Sequence, residues 1–538
     1  MRARMVRALL VTTVAVVAAG ASAAASASPV QVSQAASPFS ACSGGAANGG
    51  TNFPNSEVEP WLDVNPTDSD NVVGYYQQDR WSNGGSKGNV AAVSFDGGAT
   101  WNDHSVPDQM TVCTHGAGAP FDRGTDPWIS FGPTGDLHAS SLVIDPDPLT
   151  GGFGASGVVY NRSTDGGLTW DDPILVRSDS DPSYLNDKDS ITADPNDSDF
   201  VYVVWDRVHE AARAQHATDN PIGLGFKGPI WFARSVDGGD SFQAAHRIYE
   251  TGANKQTIGN QIVVEPQSKG GSVFDFFGDI VNGSERRKTL GPVGIAYIRS
   301  DNHGATWSQP VRVADQLPMS LFRQSSTIDP QHDPNCPAPD GDGKCPIRSG
   351  DFIPDVAINP SNGNLYAVWM DSRFGTGGVP FGTGLFQHDS IAFTQSTNGG
   401  LTWSAPIKVN ATPEMVGDDE VPVGNQQAFL PSVAVAADGT LVVTYYDFRD
   451  NTVNTSTLPT DYFSNECHPA TQDCTKSSNW DDETQLAGPF DITLAPFAEG
   501  WFLGDYMGLA PISSDMGALF GSTDGSGPSS IFFSRFTP

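Results

Sequence analysis

The chain is short of positive charge. Its 538 residues include 29 Lys and Arg against 62 Asp and Glu, which gives a formal net charge of −33 at pH 7. A protein that binds nucleic acid or an anionic membrane surface needs a basic face, so this balance argues against both as partners. It fits a secreted, extracellular protein that its charged surface keeps soluble, and we expect it to act as a monomer.

Long hydrophobic runs are also scarce, and the one that stands out is near the start. Arg2, Arg4 and Arg7 precede an apolar run over residues 8–19, and Ala-x-Ala endings follow at 21–23 and 25–27. This order is typical of a secretory signal peptide and is too short for a permanent membrane anchor. We therefore predict a signal peptide over 1–27, a flexible leader rich in Ala, Ser and Gly over 28–52, and one folded domain over 53–538.

Cysteine and histidine are few, and their spacing excludes several classes of site. Six Cys in an exported chain indicate disulfides: local bridges Cys336–Cys345 and Cys467–Cys474, and a third, Cys42–Cys113, that ties down the leader. No His-Glu-x-x-His phrase and no Ser nucleophile elbow occur, so metalloprotease and esterase functions have no support. We expect no cofactor. Three Asp-rich loops give only weak grounds for Ca²⁺ because they lack the EF-hand pattern: Asp145–Asp147, Asp179–Asp181 and Asp340–Asp342.

No helical periodicity of any length is present; what the chain has instead is a repeated turn. The phrase Ser-x-Asp-x-Gly-x-Thr-Trp, or a close variant with Asn, recurs at 94–101, 163–170, 235–242, 300–307 and 396–403, and it begins again without finishing at 522–527. Asp and Asn side chains accept hydrogen bonds from backbone N–H groups further along a turn, and Gly supplies positive φ. Apolar residues precede each copy, so each phrase is predicted to connect two antiparallel strands.

The repeated phrase resembles the Asp box, or bacterial neuraminidase repeat, of the sialidase superfamily. The resemblance implies an all-β fold, a β-propeller of four-stranded antiparallel blades. Upstream of each copy lies a pair of short apolar strands joined by a Pro or Gly turn, and seven such pairs are present. Six blades are usual for sialidases, so the sequence leaves the number open between six and seven.

Blade polarity predicts which residues share the binding face. Acidic residues precede the first strand of several blades: Glu57, Glu59, Asp126 and Asp351 among them. Asp-Arg or Asp-x-Arg phrases follow the second strand and contribute Arg80, Arg207, Arg373 and Arg449. Arg suits a carboxylate-bearing ligand because its planar fork pairs with both oxygens. The alternative is that these groups pair with each other and stabilise the ring.

The resemblance also implies a catalytic tyrosine. Sialidases use a Tyr nucleophile near the last blade, and Gly504-Asp505-Tyr506-Met507 is similar in place and pattern. A neutral phenol avoids the repulsion that a carboxylate nucleophile meets at sialic acid, and sialidases are an exception to the two-carboxylate rule. Glu57, Glu59 and Asp351 are candidates to take its proton, and Asp126 is a candidate acid/base.

The expected function is release of terminal sialic acid from glycoconjugates by an exo-alpha-sialidase-like glycoside hydrolase, with sialylated or other glycans as partners. Two alternatives stay open. One is a different glycosidase or lyase on the same scaffold that uses paired carboxylates. The other is a non-catalytic propeller that binds glycans or proteins, which the lack of an Arg-Ile-Pro phrase favours because sialidases carry that phrase near their start.

Overall fold

A computed structural model describes the chain over residues 28–45, 49–116, 118–147, 152–210, 226–281, 292–317, 347–350, 352–374, 389–413, 427–450, 457–480, 482–498 and 500–538. The predicted signal peptide, Cys336, Cys345 and Asp351 lie outside these residues. Among the described residues no helix has the length and apolar character to span a bilayer.

Antiparallel strands make up almost all of the regular structure. In chain order they are β1 (Val30–Gln31), β2 (Glu57–Val64), β3 (Val72–Arg80), β4 (Ser86–Ser94), β5 (Asp103–Ser105), β6 (Arg123–Phe131), β7 (Leu137–Asp147), β8 (Gly152–Ser163), β9 (Ile174–Asp179), β10 (Tyr184–Ala193), β11 (Val201–Glu210), β12 (Phe226–Lys227), β13 (Ile230–Ser235), β14 (His246–Tyr249), β15 (Lys255–Val264), β16 (Val273–Val281), β17 (Val293–Ser300), β18 (Val311–Gln316), β19 (Ile347–Arg348), β20 (Asp355–Ile358), β21 (Leu365–Asp371), β22 (Ser390–Ser396), β23 (Ile407–Lys408), β24 (Ala428–Val435), β25 (Leu441–Asp447), β26 (Pro459–Cys467), β27 (Thr484–Asp491), β28 (Trp501–Phe502), β29 (Gly508–Ile512), β30 (Asp515–Ser522) and β31 (Ser530–Phe536). Short 3₁₀ turns lie at Gln267–Lys269, Ser372–Phe374, Ser477–Asn479 and Ile492–Leu494.

The described strands form seven blades, which settles the number that the sequence left open. Blades 1 to 6 are β2–β5, β6–β9, β10 with β11, β13 and β14, β15–β18, β20–β23 and β24–β27, and blade 7 is β29–β31 with β1. The first strands of the blades pack side by side in this order, and β29 packs against β2. The all-β propeller predicted from the sequence is therefore confirmed, with a closed ring of seven blades.

Closure of the ring depends on the segment predicted as a flexible leader. β1 supplies the outer strand of blade 7, where Val30 pairs with Phe533 of β31. Val32 is buried, and the disulfide Cys42–Cys113 ties this segment to the connection after blade 1. Cys467–Cys474 also forms as predicted. This segment is thus part of the ring, because no other described strand completes blade 7.

The five complete turn phrases connect the third and fourth strands of blades 1 to 5, as predicted. In blade 2 the carboxylate of Asp165 accepts hydrogen bonds from Thr169 N at 2.9 Å, Thr169 Oγ1 at 2.6 Å and Ser163 Oγ at 2.8 Å. Gly166 and Gly167 have φ of 76° and 99°, which only Gly adopts freely. The incomplete phrase at 522–527 lies instead between β30 and β31, on the opposite face, so it is not a sixth copy of this turn.

The turn hydrogen bonds give a testable stability effect. Asp165→Ala removes the carboxylate that accepts these three hydrogen bonds. We expect the free energy of unfolding to fall by about 1–2 kcal/mol, since one hydrogen bond contributes about 0.5–1.5 kcal/mol net. Chemical denaturation of the mature protein measures the change. Asp172→Ala, an exposed position in the same connection, is the control and should stay within about 0.5 kcal/mol of wild type. Equal effects from the two variants would contradict this account of the turn.

Candidate active site

Each inner strand carries one residue that is turned toward the axis of the ring. Five of these strands have a register shift near their start: β2, β6, β10, β15 and β24. The shifted residue has positive φ in each: Glu59, Asp126, Lys188, Gly259 and Leu430. A β-bulge of this kind re-aims a side chain, and the corresponding residues just before β20 and β29 are Ile353 and Asp505. The axis therefore meets charged groups from blades 7, 1, 2 and 3, and uncharged ones from blades 4, 5 and 6.

Lys188 is the centre of the charged half. Its ammonium nitrogen lies 2.9 Å from Glu59 Oε1, 2.7 Å from Asp505 Oδ2 and 3.6 Å from Asp126 Oδ1. All four side chains are buried. Lys188 thus joins carboxyl groups from three other blades in one enclosed ion-pair cluster.

Two arginines extend this cluster. Arg348 Nη2 donates to Asp505 Oδ2 at 2.9 Å, and the parallel pairing of β19 with β28 holds it there. Arg80 is buried and donates to Gln77 Oε1 at 2.7 Å, while Gln77 also donates to Glu59. The two guanidinium groups lie 4.9 Å (Arg80) and 4.4 Å (Arg348) from the ring of Phe502.

Burial and charge separate the pKa values of the three carboxyl groups. Burial raises the pKa of Glu59 to about 8, although Lys188 opposes the shift. Burial also acts on Asp505, but Arg348 and Lys188 outweigh it and hold the pKa of Asp505 far below its usual range. The pKa of Asp126 is likewise lowered, because Lys188 and a hydrogen bond with Glu59 exceed the effect of burial. These environments favour the protonated form of Glu59 and the ionised forms of Asp505 and Asp126.

Tyr506 adjoins the cluster without a carboxyl partner. Its hydroxyl donates to the backbone carbonyl of Pro127 at 3.1 Å, and its ring meets Trp128 edge-to-face with centroids 5.1 Å apart. Lys188 Nζ lies 5.7 Å from the ring centroid. Burial first, and then the neighbouring carboxylates, raise the pKa of Tyr506 well above its ordinary value. The sequence placed Tyr506 near Glu59 and Asp126, and in the structure all three lie around Lys188.

Three of the four predicted ligand-binding arginines pair with carboxylates of their own or a neighbouring blade. Arg373 forms a two-point pair with Asp371, both contacts at 2.8 Å. Arg449 pairs with Asp447 at 2.6 Å and with Glu483 at 2.6 Å. Arg207 pairs with Asp179 at 2.6 Å and 2.8 Å and stacks on Tyr184. Only Arg80 of the four joins the axial cluster.

The remaining sequence candidates lie apart from the cluster or outside the described residues. Glu57 is buried beside Gln78, which donates to its Oε1 at 2.5 Å, and burial raises its pKa to about 8. Asp351 cannot be placed. In one of the Asp-rich loops, Asp179 forms salt bridges with Arg177 and Arg207. Across the described ranges no group of three or more His, Cys, Asp and Glu side chains is arranged to hold a metal, and calcium binding stays a prediction.

Sequence reasoning missed Lys188 and Arg348. Lys188 occupies the same position near the start of its strand as Glu59 and Asp126, so alignment of the repeats by that position contains the signal. Arg348 has no such signal, since it lies in the long connection between blades 4 and 5 and reaches the axis only through its pairing with β28.

The space around the cluster is small. A cavity of about 30 Å³ is lined by residues of all seven blades, with Trp61, Trp128, Lys188, Asp189 and Tyr506 among its walls. This volume holds one or two water molecules, whereas ligand pockets commonly span about 300–1,000 Å³. A sugar therefore does not fit at the axis in this conformation.

No protein-family model matches the chain, and no curated protein matches it. Solved structures with a similar fold include an alpha-L-arabinanase from Penicillium chrysogenum complexed with arabinobiose, 14% identical over 80% of this chain and 97% of that one, TM-score 0.42. A mutant of the NanB sialidase from Streptococcus pneumoniae is 10% identical over 95% and 98%, TM-score 0.42. A protein of unknown function from Dyadobacter fermentans is 11% identical over 90% and 94%, TM-score 0.42. At such identities and TM-scores these proteins carry no argument about activity, substrate or site residues of this chain.

Proposed function

We propose that the protein is a secreted glycoside hydrolase in which Glu59 is the general acid and Asp505 the nucleophile. The observation that carries the proposal is the pair of carboxyl groups that bind one ammonium nitrogen, while burial raises the pKa of Glu59 and the cations Arg348 and Lys188 lower the pKa of Asp505. Carboxyl groups whose environments push their pKa values apart are typical acid and base assignments in glycosidases. Lys188 and Arg348 keep Asp505 ionised, and burial keeps the proton on Glu59.

The separation of the two groups favours retention of anomeric configuration. Both oxygens lie within 3 Å of Lys188 Nζ, at 2.9 Å and 2.7 Å, so the gap between them is below the roughly 6.5 Å minimum of inverting enzymes. Retaining enzymes keep the two carboxyl groups about 5–5.5 Å apart. In the proposed reaction Glu59 protonates the leaving oxygen and Asp505 attacks the anomeric carbon. Water, deprotonated by Glu59, then releases the sugar from Asp505.

Entry of the sugar requires the strand-entry face to open. The axial cavity is about 30 Å³, so the walls around Lys188 and Tyr506 move apart when substrate binds. The signal peptide predicted from the sequence and the two disulfides fit export to an oxidising compartment. The substrate is accordingly an extracellular glycan.

Release of sialic acid through Tyr506 is a second candidate, favoured by one observation. Arg80 and Arg348 lie over the same Phe502 ring. Arg348 also donates to Asp505, the residue that precedes Tyr506 in the chain. Two cations near a channel tyrosine are what a sugar carboxylate would need. The pairing of Arg207, Arg373 and Arg449 elsewhere weighs against a three-arginine clamp built from the predicted residues.

A panel of fluorogenic glycosides tests the proposal with the mature protein. It includes a sialoside, arabinofuranosides and neutral hexosides, and NMR of the first product gives the anomeric outcome. Hydrolysis with retention that Asp505→Asn abolishes and Tyr506→Phe leaves intact supports the carboxyl pair. Sialoside hydrolysis that Tyr506→Phe abolishes supports the second candidate. Inversion would refute both, and no hydrolysis of any glycoside by folded protein would refute enzymatic function.

A further inference from the structure

One part of the axial cavity is lined by oxygen atoms that nothing described satisfies. The residue after each axial position is Pro in four blades and Tyr506 in blade 7, but it is Asp189 in blade 3 and Asn260 in blade 4. Both line the cavity and are 2% exposed. Neither carboxylate oxygen of Asp189 accepts a hydrogen bond from a described residue, and Oδ1 of Asn260 accepts none either.

A hydrogen bond from the side-chain nitrogen of Asn260 fixes the orientation of its amide group. Its Nδ2 donates to Asp206 Oδ1 at 2.7 Å, which leaves Oδ1 without a described donor. The two residues are neighbours around the channel, because Ser190 Oγ donates to the backbone carbonyl of Asn260 at 2.7 Å. Burial raises the pKa of Asp189 well above its ordinary value, and the nearby Ser140 hydroxyl, which opposes this shift, makes no hydrogen bond of normal length.

The neighbouring cation does not satisfy these oxygens. Lys188 acts electrostatically on Asp189, but its ammonium nitrogen bonds to Glu59 and Asp505 and lies beside Asp126. A buried carboxylate without a hydrogen-bond donor is strongly unfavourable, so a partner at this point of the cavity would relieve a large desolvation cost.

We infer that the axial cavity binds a hard cation of the calcium class, held by the carboxylate of Asp189 and the side-chain oxygen of Asn260, with water as the remaining ligands. Carboxylate, amide oxygen and water are the ligands such cations prefer. With a single carboxylate the site is weak, and we expect half-occupancy at about 0.1–1 mM Ca²⁺, as in extracellular modules. The cation stabilises the ring whether or not the protein is a hydrolase.

Thermal unfolding in EDTA and in Ca²⁺ tests this inference. We expect Ca²⁺ at 10 mM to raise the Tm of the wild type by several degrees, and Asp189→Asn to lose most of that rise. Asp275→Asn is the matched control, since Asp275 is 0% exposed with both oxygens unsatisfied but does not line the cavity. It should keep the full response. No Ca²⁺ response in the wild type, or an unchanged response in Asp189→Asn, would overturn the site; the second result is what a permanently protonated Asp189 gives.

Terbium luminescence supplies an independent readout. Trp61 and Trp128 line the same cavity, so Tb³⁺ bound there should emit on indole excitation and be displaced by Ca²⁺. Asn260→Asp adds a second carboxylate and should tighten binding, which keeps the test decisive if Asp189→Asn fails to fold. Emission that neither variant alters would show binding at the acidic surface only and would refute the axial site.

Discussion

Glu59→Gln is expected to slow hydrolysis of an unactivated glycoside by about 10²–10⁴-fold, the usual contribution of a positioned general acid. Gln keeps the size of the side chain and its contact with Gln77 but has no proton to give. A substrate whose leaving group needs no protonation should lose far less in its first step. This difference between substrates is what a merely structural Glu59 would not produce.

The pH dependence of hydrolysis also tests whether Glu59 is the general acid. A general acid acts only while protonated, and the pKa of Glu59 is raised to about 8 by burial. The wild-type kcat/KM should therefore stay high through neutral pH and fall as the pH rises through about 8. In Glu59→Gln this alkaline limb should disappear.

Glu57→Gln is the matched control for both measurements. Glu57 is buried two residues away, and its pKa is also raised to about 8 by burial, but it does not contact Lys188. We expect it to keep activity within a few-fold of wild type and to keep the alkaline limb. If the two variants behave alike on every substrate, Glu59 is not the acid.

Lys188→Met is expected to lower the free energy of unfolding by about 3–5 kcal/mol, the range for breaking a buried ion pair by removal of one partner. Methionine fills much of the same volume, so the loss comes from charge and not from a cavity. Glu59, Asp126 and Asp505 would then share the site with only Arg80 and Arg348 as cations. Denaturant unfolding at pH 7 measures the effect.

Two comparisons isolate the electrostatic cause of that loss. Lys227→Met removes a half-exposed pair with Glu250 and should cost no more than about 1 kcal/mol. Adding Asp126→Asn to Lys188→Met removes one of the uncompensated charges and should restore part of the stability, a positive coupling in a double-mutant cycle. A loss below about 1 kcal/mol for Lys188→Met would show that the cluster contributes little to stability.

The sequence was sufficient for the blades because local chemistry dictates them. The turn phrase contains the acceptor, the donors and the glycines that the turn needs, and the hydrogen bonds to Asp165 form as predicted. Blade number was harder, since the fourth strand of blade 7 comes from residues 30–31 at the far end of the chain. No local pattern marks a two-residue strand in a segment rich in Ala and Ser.

The spacing between Asp and Arg in each phrase predicts the partner of some of these arginines but not of all. In the Asp-x-Arg phrases the two side chains lie on the same side, so Arg373 pairs with Asp371, and Arg449 with Asp447. In an adjacent Asp-Arg pair the strand sends the two side chains to opposite faces. Asp79 accordingly meets Lys87 at 3.0 Å, while Arg80 turns toward the axis. Arg207 also follows its Asp directly but pairs with Asp179, so spacing alone does not separate the two kinds of arginine. The partner of each depends on residues distant in sequence.

Lys188 also bears on how the ring loses its structure. In a ring of sheets where each sheet contacts only its two neighbours, each interface between sheets can open independently. Such a ring can unfold one sheet at a time. Lys188 in blade 3 bonds directly to Glu59 in blade 1 and Asp505 in blade 7, past the sheets that lie between. Separating any two of these blades therefore breaks ion pairs that also hold the other blades. These ion pairs couple blades across the ring, and we expect the protected amides of blades 7, 1, 2 and 3 to exchange as one cooperative unit.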